Sequence, residues 1–531
     1  MGLGEWADEM RGSMTLEGKV GQMMWSYVKD LSVVKRMIKD GQLGALMLGS
    51  STLTDPEASA RFTNSMQRLA RTPLLIGADF EAGVGLLVRG ATELPSNMGV
   101  GATRSIKFAH LCGEITAKEA RAIGVHMPVA PVVDVNVNPA NPIINVRSYG
   151  ESAELVSKLA VSFVKGCQEN RAIAVAKHFP GHGDTAIDSH RSMPVILHDR
   201  KRMEEVELHP YREVIAAGIK AIMSAHIQFP ALDPTPGLPA TLSHRILTGF
   251  LREEMGFEGL IVTDAMAMWA VSHNFETGEA VVRAVEAGAD LVLVSDPEIS
   301  YQALLRAVKD NRISQKRIEE SVRRILEAKE WLGLHLERLV DVEEVPSLVG
   351  TKENERKAYE VAAVSITLVK GKLDFLRGLR LLAVCPKEFR YTGEPTSNRF
   401  AESLQRRRTD TINLTIEEEP TKEDWERVLL STNETEAVVF AVFPKVRAYK
   451  EGSATVPEGQ VKLVEKLASV KPTVVISYGS PYILAKFKQA KALLCAYSDA
   501  EPCLEASLAV LLGEIPAKGA LPVTIPMFNI E

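Results

Sequence analysis

Residues 173–190 read IAVAKHFPGHGDTAIDSH, a short apolar run that passes into a loop rich in glycine, aspartate and histidine. Similar apolar runs recur along about the first 300 residues, and stretches with helical spacing of apolar residues separate most of them. Strands that are buried on both faces of a parallel sheet have continuous apolar runs of this kind. The candidate strands span residues 20–27, 43–49, 74–80, 126–135, 173–179, 221–227, 259–266 and 289–295.

Eight apolar strands that alternate with helices over about 300 residues predict a (β/α)8 barrel. A doubly wound open sheet has the same alternation, and the sequence alone leaves that alternative open. Residues 336–355 are mixed in pattern and contain acidic residues, Pro346 and Gly350, which predicts a linker. Five further candidate strands follow. The predicted α/β organisation is therefore a barrel over residues 1–335, a linker over 336–355 and a second α/β domain over 356–531.

Composition and charge exclude several classes of protein. The 531 residues are 46% hydrophobic and 24% charged, which is ordinary for a soluble globular chain and excludes bulk disorder. A net charge of −6 argues against a nucleic-acid partner, since such proteins normally present a basic face. We expect no membrane association, because no stretch of the sequence approaches the roughly 18 apolar residues that span a bilayer. The default expectation is a cytoplasmic protein, or a secreted one if a leader has been removed.

The cysteines are too few and too scattered to define a site. There are five of them, an odd number, and none is in CxxC spacing. A disulfide framework or a structural zinc site is therefore not expected. The residues are Cys112, Cys167, Cys385, Cys495 and Cys503.

Polar residues gather where a barrel would place its active site. In such folds, catalytic groups lie at the carboxyl ends of the strands and in the loops that follow them. A single aspartate after a strand is often only a helix N-cap, and this interpretation stays open for Asp134. Toward their ends, the candidate strands carry Asp79, Asp134, Lys177, His178, His226 and Asp264.

The loop after residue 179 favours acid–base chemistry. Asp188 and His190 are two residues apart, so their side chains project to the same side of an extended loop. A carboxylate there would fix the tautomer of the imidazole and favour its protonated form. A metal site built from His182, Asp184 and a further histidine is one alternative, although no familiar spacing such as HExxH supports it, and a merely solvated loop is another. We expect no metal and no cofactor.

Four segments have distinctive sequences: 13–24 (SMTLEGKVGQMM), 130–150 (APVVDVNVNPANPIINVRSYG), 177–190 (KHFPGHGDTAIDSH) and 241–268 (TLSHRILTGFLREEMGFEGLIVTDAMAM). Together they resemble glycoside hydrolase family 3, and in particular its β-N-acetylglucosaminidase branch. The string in 177–190 is long and irregular, which makes a chance match remote. The resemblance covers about residues 5–335 and, more loosely, the rest, which looks like the α/β sandwich domain that follows the barrel in many members.

The resemblance implies roles for individual residues. Asp264 would be the catalytic nucleophile and His190 the general acid/base, held by Asp188. The implied activity is that of a retaining exo-β-N-acetylglucosaminidase on peptidoglycan- or chitin-type carbohydrate, with the protein acting as a monomer or a homodimer. Sugar-binding positions of the family match Asp79, Arg147, Lys177 and His178, and positions near the acetamido group match Met266 and Met268.

One motif departs from the family pattern. Many relatives read DQEGGRVQR after the third strand, whereas residues 79–89 read DFEAGVGLLVR. Arg89 takes the place of the last arginine of the motif in this interpretation. It is therefore a further candidate for contact with the sugar.

The chemistry of these residues agrees with the implied activity. A retaining glycosidase needs a carboxylate that attacks the anomeric carbon and an acid that protonates the leaving oxygen. An imidazole has an ordinary pKa of about 6.5, so it serves as that acid close to neutral pH. Three alternatives stay open: a β-glucosidase or xylosidase-type member of the family, an N-acetylglucosaminide phosphorylase, and a sugar-binding barrel without activity.

Overall fold

The computed structural model describes residues 4–190, 192–390, 392–448, 450 and 452–526. The chain divides into two units, and the division is not linear. Unit 1 contains the chain up to Thr92 together with Ala109–Val135 and Val156–Thr351. Unit 2 contains Glu93–Phe108, Asn136–Leu155 and the chain from Lys352 onward. The outer limits of the predicted domains, residues 1 and 531, lie outside the described residues.

The described part of unit 1 is built around eight strands. Each apolar run that predicts a strand contains one, and each strand is shorter than its run. Nearly all strand residues are buried, as two covered faces require. The strands are β1 (Met24–Tyr27), β2 (Ala45–Leu48), β3 (Leu75–Ala78), β4 (Met127–Pro128), β5 (Val175–Phe179), β6 (Ala221–Ser224), β7 (Leu260–Thr263) and β8 (Val292–Val294).

These strands close into a barrel. One sheet has the order β4–β3–β2–β1–β8 and another the order β5–β6–β7, and the neighbouring strands are parallel. Single bridges join the two sheets at both seams, between Val132 and Lys177 and between Val262 and Leu291. The ring is therefore closed, which confirms the predicted (β/α)8 barrel and rules out the open sheet.

Helices separate the strands along the chain. At the start of one of them, the Asp55 carboxylate accepts a hydrogen bond from the Ala58 N–H and Pro56 occupies the first turn, a typical N-terminal arrangement. Within the described ranges, each helix falls short of the length and apolarity that crossing a bilayer requires. A π-helix spans Arg245–Glu254, and the α-helices are α1 (Glu5–Ser13), α2 (Leu16–Gln22), α3 (Leu31–Lys39), α4 (Pro56–Leu69), α5 (Asn97–Thr103), α6 (Ile106–Ala122), α7 (Ala153–Glu169), α8 (Arg200–Glu205), α9 (His209–Ala216), α10 (Trp269–Ser272), α11 (Thr277–Ala287), α12 (Pro297–Lys309), α13 (Gln315–Trp331), α14 (Val345–Leu348), α15 (Lys352–Ser365), α16 (Thr396–Arg407), α17 (Lys422–Ser431), α18 (Glu458–Val470) and α19 (Glu501–Leu511).

The fourth strand shows why an apolar run overestimates the length of a strand. Residues 126–135 predict a long strand, but β4 is limited to Met127–Pro128. Pro128 and Pro131 carry no backbone N–H, so neither can donate a hydrogen bond to a ladder. The chain beyond them is irregular and brings Asp134 against the carboxyl end of β5, where the carboxylate accepts the His178 N–H.

Unit 2 contains a six-stranded sheet within its described residues. The order is β11–β10–β12–β13–β14–β9, and only the edge strand β9 is antiparallel to its neighbour. The strands are β9 (Thr367–Lys370), β10 (Leu381–Pro386), β11 (Ile412–Ile416), β12 (Ala437–Val442), β13 (Thr473–Ser477) and β14 (Ala492–Cys495).

Helices cover both faces of this sheet. Alternate residues of β10 belong to different hydrophobic cores: Leu381 and Ala383 belong to the core that contains residues of α15, α16 and α19, whereas Leu382 and Val384 belong to the core that contains residues of α17 and α18. This alternation follows from the two-residue period of a strand. The arrangement confirms the predicted α/β sandwich.

The edge strand β11 has no counterpart among the strands predicted from the sequence. Its sequence, INLTI, mixes polar and apolar residues, and four of its five residues are only half-buried. A half-buried edge strand needs no continuous apolar run, so the pattern that identifies the central strands misses it.

A lysine is buried close to the amino-terminal ends of the first two barrel strands. Lys329, on α13, is fully buried, and its Nζ donates to Gln22 Oε1 at 2.5 Å and to the Gly44 carbonyl at 3.0 Å. Both partners are neutral, so no carboxylate compensates the ammonium at these contacts. Burial lowers the pKa of Lys329 to about 7.

We predict that Lys329 makes the stability of unit 1 depend on pH. Because its pKa is lower in the folded state than in the unfolded state, its cost is fully present below pH 7 and disappears as the pH rises toward about 10. Lys329→Met should therefore raise Tm relative to wild type, and by more at pH 7 than at pH 9.5. At about 1.4 kcal/mol per unit of pKa, the two gains should differ by about 3 kcal/mol.

Thermal unfolding followed by calorimetry at the two pH values measures this difference. Lys316→Met is the matched control, because Lys316 is on the same helix with its side chain 86% exposed. The control should change Tm equally at both pH values. A gain for Lys329→Met that is the same at pH 7 and pH 9.5 would contradict the prediction.

Candidate active site

The predicted site residues of unit 1 lie mostly at one rim of the barrel. Lys177 and His178 belong to the carboxyl end of β5, and Asp264 follows β7 directly. Asp79 follows β3, and His226 lies two residues after β6. Because the strands of a closed parallel barrel all point the same way, their carboxyl ends meet around a common opening.

Asp264 is a half-buried carboxylate surrounded by imidazoles. Its Oδ1 accepts a hydrogen bond from the Ala265 N–H at 2.7 Å. Burial by itself raises its pKa, but electrostatic interaction with the neighbouring imidazoles of His178, His226 and His190, together with the hydrogen bond from the Ala265 N–H, outweighs that effect and lowers the pKa of Asp264 to about 2. The carboxyl group is therefore ionised at neutral pH, and the structure brings it into one electrostatic cluster with these three histidines.

His190 is paired with a buried aspartate. Its Nδ1 lies 2.7 Å from Asp188 Oδ1, and its backbone N–H donates to the same oxygen at 2.9 Å. The imidazole is one fifth exposed, whereas the Asp188 side chain is only 5% exposed. The carboxylate therefore fixes the orientation of the ring, and proton exchange with a ligand would involve Nε2.

His178 forms a second pair of the same kind. Its Nδ1 lies 2.8 Å from Asp134 Oδ2, and both groups are buried. The Asp134 carboxylate also accepts the backbone N–H of His178 at 3.2 Å and that of His182 at 2.6 Å. Asp134 is therefore an acceptor at the end of β5 and not a helix N-cap, since its partners belong to β5 and the following loop.

The His182 side chain forms hydrogen bonds with two other residues of the loop after β5. Its imidazole is buried, with Nδ1 3.0 Å from Thr185 Oγ1 and Nε2 3.0 Å from Ser189 Oγ. Ser189 is flanked by Asp188 and His190. The contacts of His182 therefore connect the anchored start of the loop to the pair that ends it.

Lys177 is a buried cation held by two carboxylates. Its Nζ lies 2.8 Å from Asp79 Oδ1 and 2.6 Å from Glu81 Oε1. The lysine side chain is 2% exposed, whereas that of Asp79 is 48% exposed. An ammonium buried this deeply requires negatively charged partners. Because the Asp79 side chain is half exposed, solvent or a ligand can reach this ion-paired group from its side.

The remaining four predicted site residues are two methionines and two arginines. Met266 and Met268 are buried in the segment after β7, where their N–H groups donate to the carbonyls of Leu293 and Ala265.

Arg147 belongs to unit 2, in the short 3-10 turn Asn145–Arg147, and its guanidinium donates to the Ile143 carbonyl at 2.8 Å. Arg89 is exposed, and its backbone N–H donates to the Thr54 carbonyl. Within the described ranges, no hydrogen bond or ion pair joins the Arg89 guanidinium to the cluster around Asp264.

Three residues of the cluster have no role assigned from the sequence: Glu81, Asp134 and His226. Asp134 and His226 are among the polar residues that the sequence places at the ends of predicted strands, but this position alone does not show what they do. Glu81 lies two residues after Asp79, on the same side of an extended chain. The described residues contain no group of three or more His, Cys, Asp or Glu side chains arranged to hold a metal ion.

Comparison with known families gives matches over both units. Residues 15–328 match the glycosyl hydrolase family 3 N terminal domain, and residues 390–528 match the glycosyl hydrolase family 3 C-terminal domain. Over 547 residues, the chain is 30% identical to a beta-N-acetylglucosaminidase/beta-glucosidase of Cellulomonas fimi, which covers 98% of this chain and 95% of that protein. It is 33% identical over 368 residues to beta-hexosaminidase A of Pseudoalteromonas piscicida, covering 64% of this chain and 61% of the relative.

Solved structures also resemble this chain over nearly its whole length. A glycoside hydrolase family 3 beta-N-acetylglucosaminidase from Paenibacillus sp. str. FPU-7 superposes with a TM-score of 0.89 at 34% identity, covering 97% of this chain and 99% of that one. The beta-glucoside phosphorylase BglX, bound to 2FGlc, superposes with a TM-score of 0.88 at 26% identity, covering 98% and 96%.

We predict that Asp134 holds the loop after β5 in place. Asp134→Asn keeps the size of the side chain but replaces a charged acceptor of several hydrogen bonds by an amide. Losing one charge-assisted bond of about 1.5–3 kcal/mol should increase amide hydrogen exchange of His182 and its loop about 10–100-fold. Exchange measured by mass spectrometry over residues 181–190 tests this.

A control variant separates this effect from a general loss of stability. Asp233→Asn also removes a carboxylate that accepts from neighbouring groups, here Thr235 and Ser243. It should leave exchange in residues 181–190 unchanged. Equal protection of this loop in wild type and Asp134→Asn would show that the anchor is elsewhere.

Proposed function

Because the chain belongs to glycosyl hydrolase family 3, we propose that it is a retaining exo-β-N-acetylglucosaminidase. Its substrates would be terminal non-reducing N-acetyl-β-D-glucosaminides of peptidoglycan- or chitin-type fragments. Similar proteins named beta-hexosaminidase and beta-N-acetylglucosaminidase support this choice of sugar. One observation carries the mechanism: Asp264, with a pKa of about 2, shares a cluster with an imidazole that has its own carboxylate.

In the first step, the Asp264 carboxylate attacks the anomeric carbon. The bond from that carbon to the leaving oxygen breaks, and imidazolium His190 delivers a proton from Nε2 to the oxygen. The products are a covalent sugar ester on Asp264 and the free alcohol. Throughout this step, the Asp188 carboxylate accepts from Nδ1 and keeps the ring oriented, so that Nε2 is the nitrogen that donates.

In the second step, neutral His190 takes a proton from water. The oxygen of that water attacks the anomeric carbon, and the ester bond to Asp264 breaks. Asp264 leaves as a carboxylate and His190 is again an imidazolium. Two inversions at one carbon retain the β configuration, so the enzyme returns to its starting state.

The remaining residues would bind the sugar. Lys177 and Asp79 offer a donor and an acceptor for hydroxyl groups, and His178, oriented by Asp134, offers a further donor. The buried Met266 and Met268 would form the apolar wall beside the acetamido methyl group. The sugar contacts of Arg89 and Arg147 stay predictions from sequence.

We predict different kinetic effects for the nucleophile and the acid. Asp264→Asn should lower kcat/KM more than about 10⁴-fold for all aryl N-acetylglucosaminides, because no covalent ester forms. His190→Ala should lower it about 10²–10⁴-fold for p-methoxyphenyl as leaving group and less than about 10-fold for 2,4-dinitrophenyl, which departs without a proton.

Two further measurements complete this test. Azide added to Asp264→Ala should restore turnover and give the α-glycosyl azide, the inverted product. Wild type should also prefer p-nitrophenyl N-acetylglucosaminide to p-nitrophenyl glucoside. A higher kcat/KM on the glucoside would favour the β-glucosidase alternative, and full activity of Asp264→Asn would refute the proposed nucleophile.

Phosphorolysis is a second candidate reaction, supported by the similarity to a beta-glucoside phosphorylase. In the second step, an anionic acceptor would meet an imidazole, since Asp188 is buried behind the ring. Phosphate is therefore repelled less than it would be by a carboxylate in that position.

We predict that phosphate competes with water for the sugar ester. Wild type incubated with p-nitrophenyl N-acetylglucosaminide and millimolar phosphate should release N-acetylglucosamine 1-phosphate alongside the free sugar. The ratio of the two products, measured by NMR, should rise with phosphate and stay zero with equal concentrations of chloride. Free sugar as the sole product at every phosphate concentration would reject phosphorolysis.

A further inference from the structure

We propose that His226 is a positioning residue that fixes the Asp264 carboxylate through the backbone of Ala265. This inference rests on the proposed role of Asp264 as the nucleophile. His226 Nε2 lies 3.0 Å from the Ala265 carbonyl oxygen, and the Ala265 N–H donates to Asp264 Oδ1 at 2.7 Å. His226 therefore binds the carbonyl group of Ala265, and the N–H of the same residue binds the Asp264 carboxylate.

The proton on His226 can be assigned from its partners. A carbonyl oxygen only accepts, so Nε2 must carry a hydrogen for its bond to Ala265. Nδ1 lies 2.9 Å from the Thr241 hydroxyl, which can donate to it, and the Ser224 hydroxyl lies 2.9 Å from Thr241 in turn. Thr241 Oγ1 also lies 3.0 Å from the Ala225 carbonyl oxygen, but that oxygen has the Thr241 N–H as a further donor. The single hydrogen of the Thr241 hydroxyl can therefore go to Nδ1, and every one of these polar groups is satisfied with the imidazole neutral and its proton on Nε2.

This environment differs from that of the other two histidines beside Asp264. His178 and His190 each have a carboxylate against Nδ1, whereas His226 has a hydroxyl and a carbonyl. His226 is buried, and burial is the main reason that its pKa is lowered. A neutral donor orients the backbone without adding a full positive charge that would weaken the carboxylate as a nucleophile.

The two oxygens of the Asp264 carboxylate therefore differ in their hydrogen bonding. Oδ1 is held by the Ala265 N–H, while the Ala265 carbonyl is held both by His226 and by the Met268 N–H at 2.9 Å. With this residue fixed at both its N–H and its C=O, rotation of the Asp264 side chain is restricted and Oδ2 is left to attack. A small misplacement of an attacking atom is enough to lower a rate about 100-fold.

Two substitutions of His226 distinguish the contribution of the Nε2–H donor from that of the imidazole ring as a whole. His226→Leu removes the donor, whereas His226→Gln can place an amide N–H near the position of Nε2. His226→Leu should lower kcat/KM about 10–100-fold, and by the same factor for 2,4-dinitrophenyl and p-methoxyphenyl leaving groups, because attack is impaired and proton delivery is not. His226→Gln should recover kcat/KM to within about 5-fold of wild type.

The leaving-group comparison and the rescue are readouts that a merely structural role would not move. His110→Leu, at a histidine on α6 whose side chain is 38% exposed, is the control and should match wild type. All variants are compared per folded active site, titrated with a 5-fluoro N-acetylglucosaminyl fluoride that labels the nucleophile. Equal kcat/KM for His226→Leu and wild type, or a loss in His226→Gln as large as in His226→Leu, would overturn the positioning role.

The same label distinguishes this inference from the proposed function. Labelling of a residue other than Asp264 in wild type would refute the nucleophile, and the role of His226 with it. Labelling of Asp264 in both wild type and His226→Leu at equal rates would leave the nucleophile intact and refute only the role of His226. Slower labelling of Asp264 in His226→Leu supports both.

Discussion

One buried carboxylate determines how the end of the fifth barrel strand is arranged. Asp134 accepts hydrogen bonds from the backbone of His178 and of His182, and it also contacts the His178 imidazole. A carboxylate removed from water is stable only when donors surround it, so these groups have to keep their places. The ring of His178 and the start of the loop that leads to His190 are thereby fixed together.

The three histidines near Asp264 illustrate how surroundings assign different tasks to one residue type. His190 is partly exposed and has a carboxylate behind it, which suits the proposed exchange of protons with a ligand and with water. His178 has a carboxylate but is buried, which suits a permanent donor to a hydroxyl. His226 has only neutral partners, which suits a group that orients the backbone. Divergent environments of this sort are how acid, base and nucleophile become distinct in one pocket.

Much of the architecture was accessible from the sequence, for a physical reason. A strand covered on both faces must be apolar throughout, so all eight barrel strands could be recognised, while their limits could not, because prolines such as Pro131 also occur in apolar runs. The half-buried edge strand β11 escapes that criterion. Membership of Glu93–Phe108 and Asn136–Leu155 in unit 2 depends on contacts distant in sequence, which no local pattern reports. The same holds for Asp134, whose partners lie more than 40 residues away.

The proposed nucleophile and the proposed acid/base differ in how rigidly the fold holds them, and the two half-reactions of the proposed mechanism explain why. Asp264 follows β7 directly, and its neighbour Ala265 is bonded at both its N–H and its C=O, so the attacking oxygen arrives in one position. His190 lies eleven residues beyond the end of β5, on a loop closed by His182 and Ser189, and it is partly exposed. In the proposed mechanism, water must reach this imidazole after the first alcohol has left, since deglycosylation consumes a water molecule. A group buried as deeply as His178, whose side chain is 7% exposed, is less suited to this second step because solvent reaches it less readily.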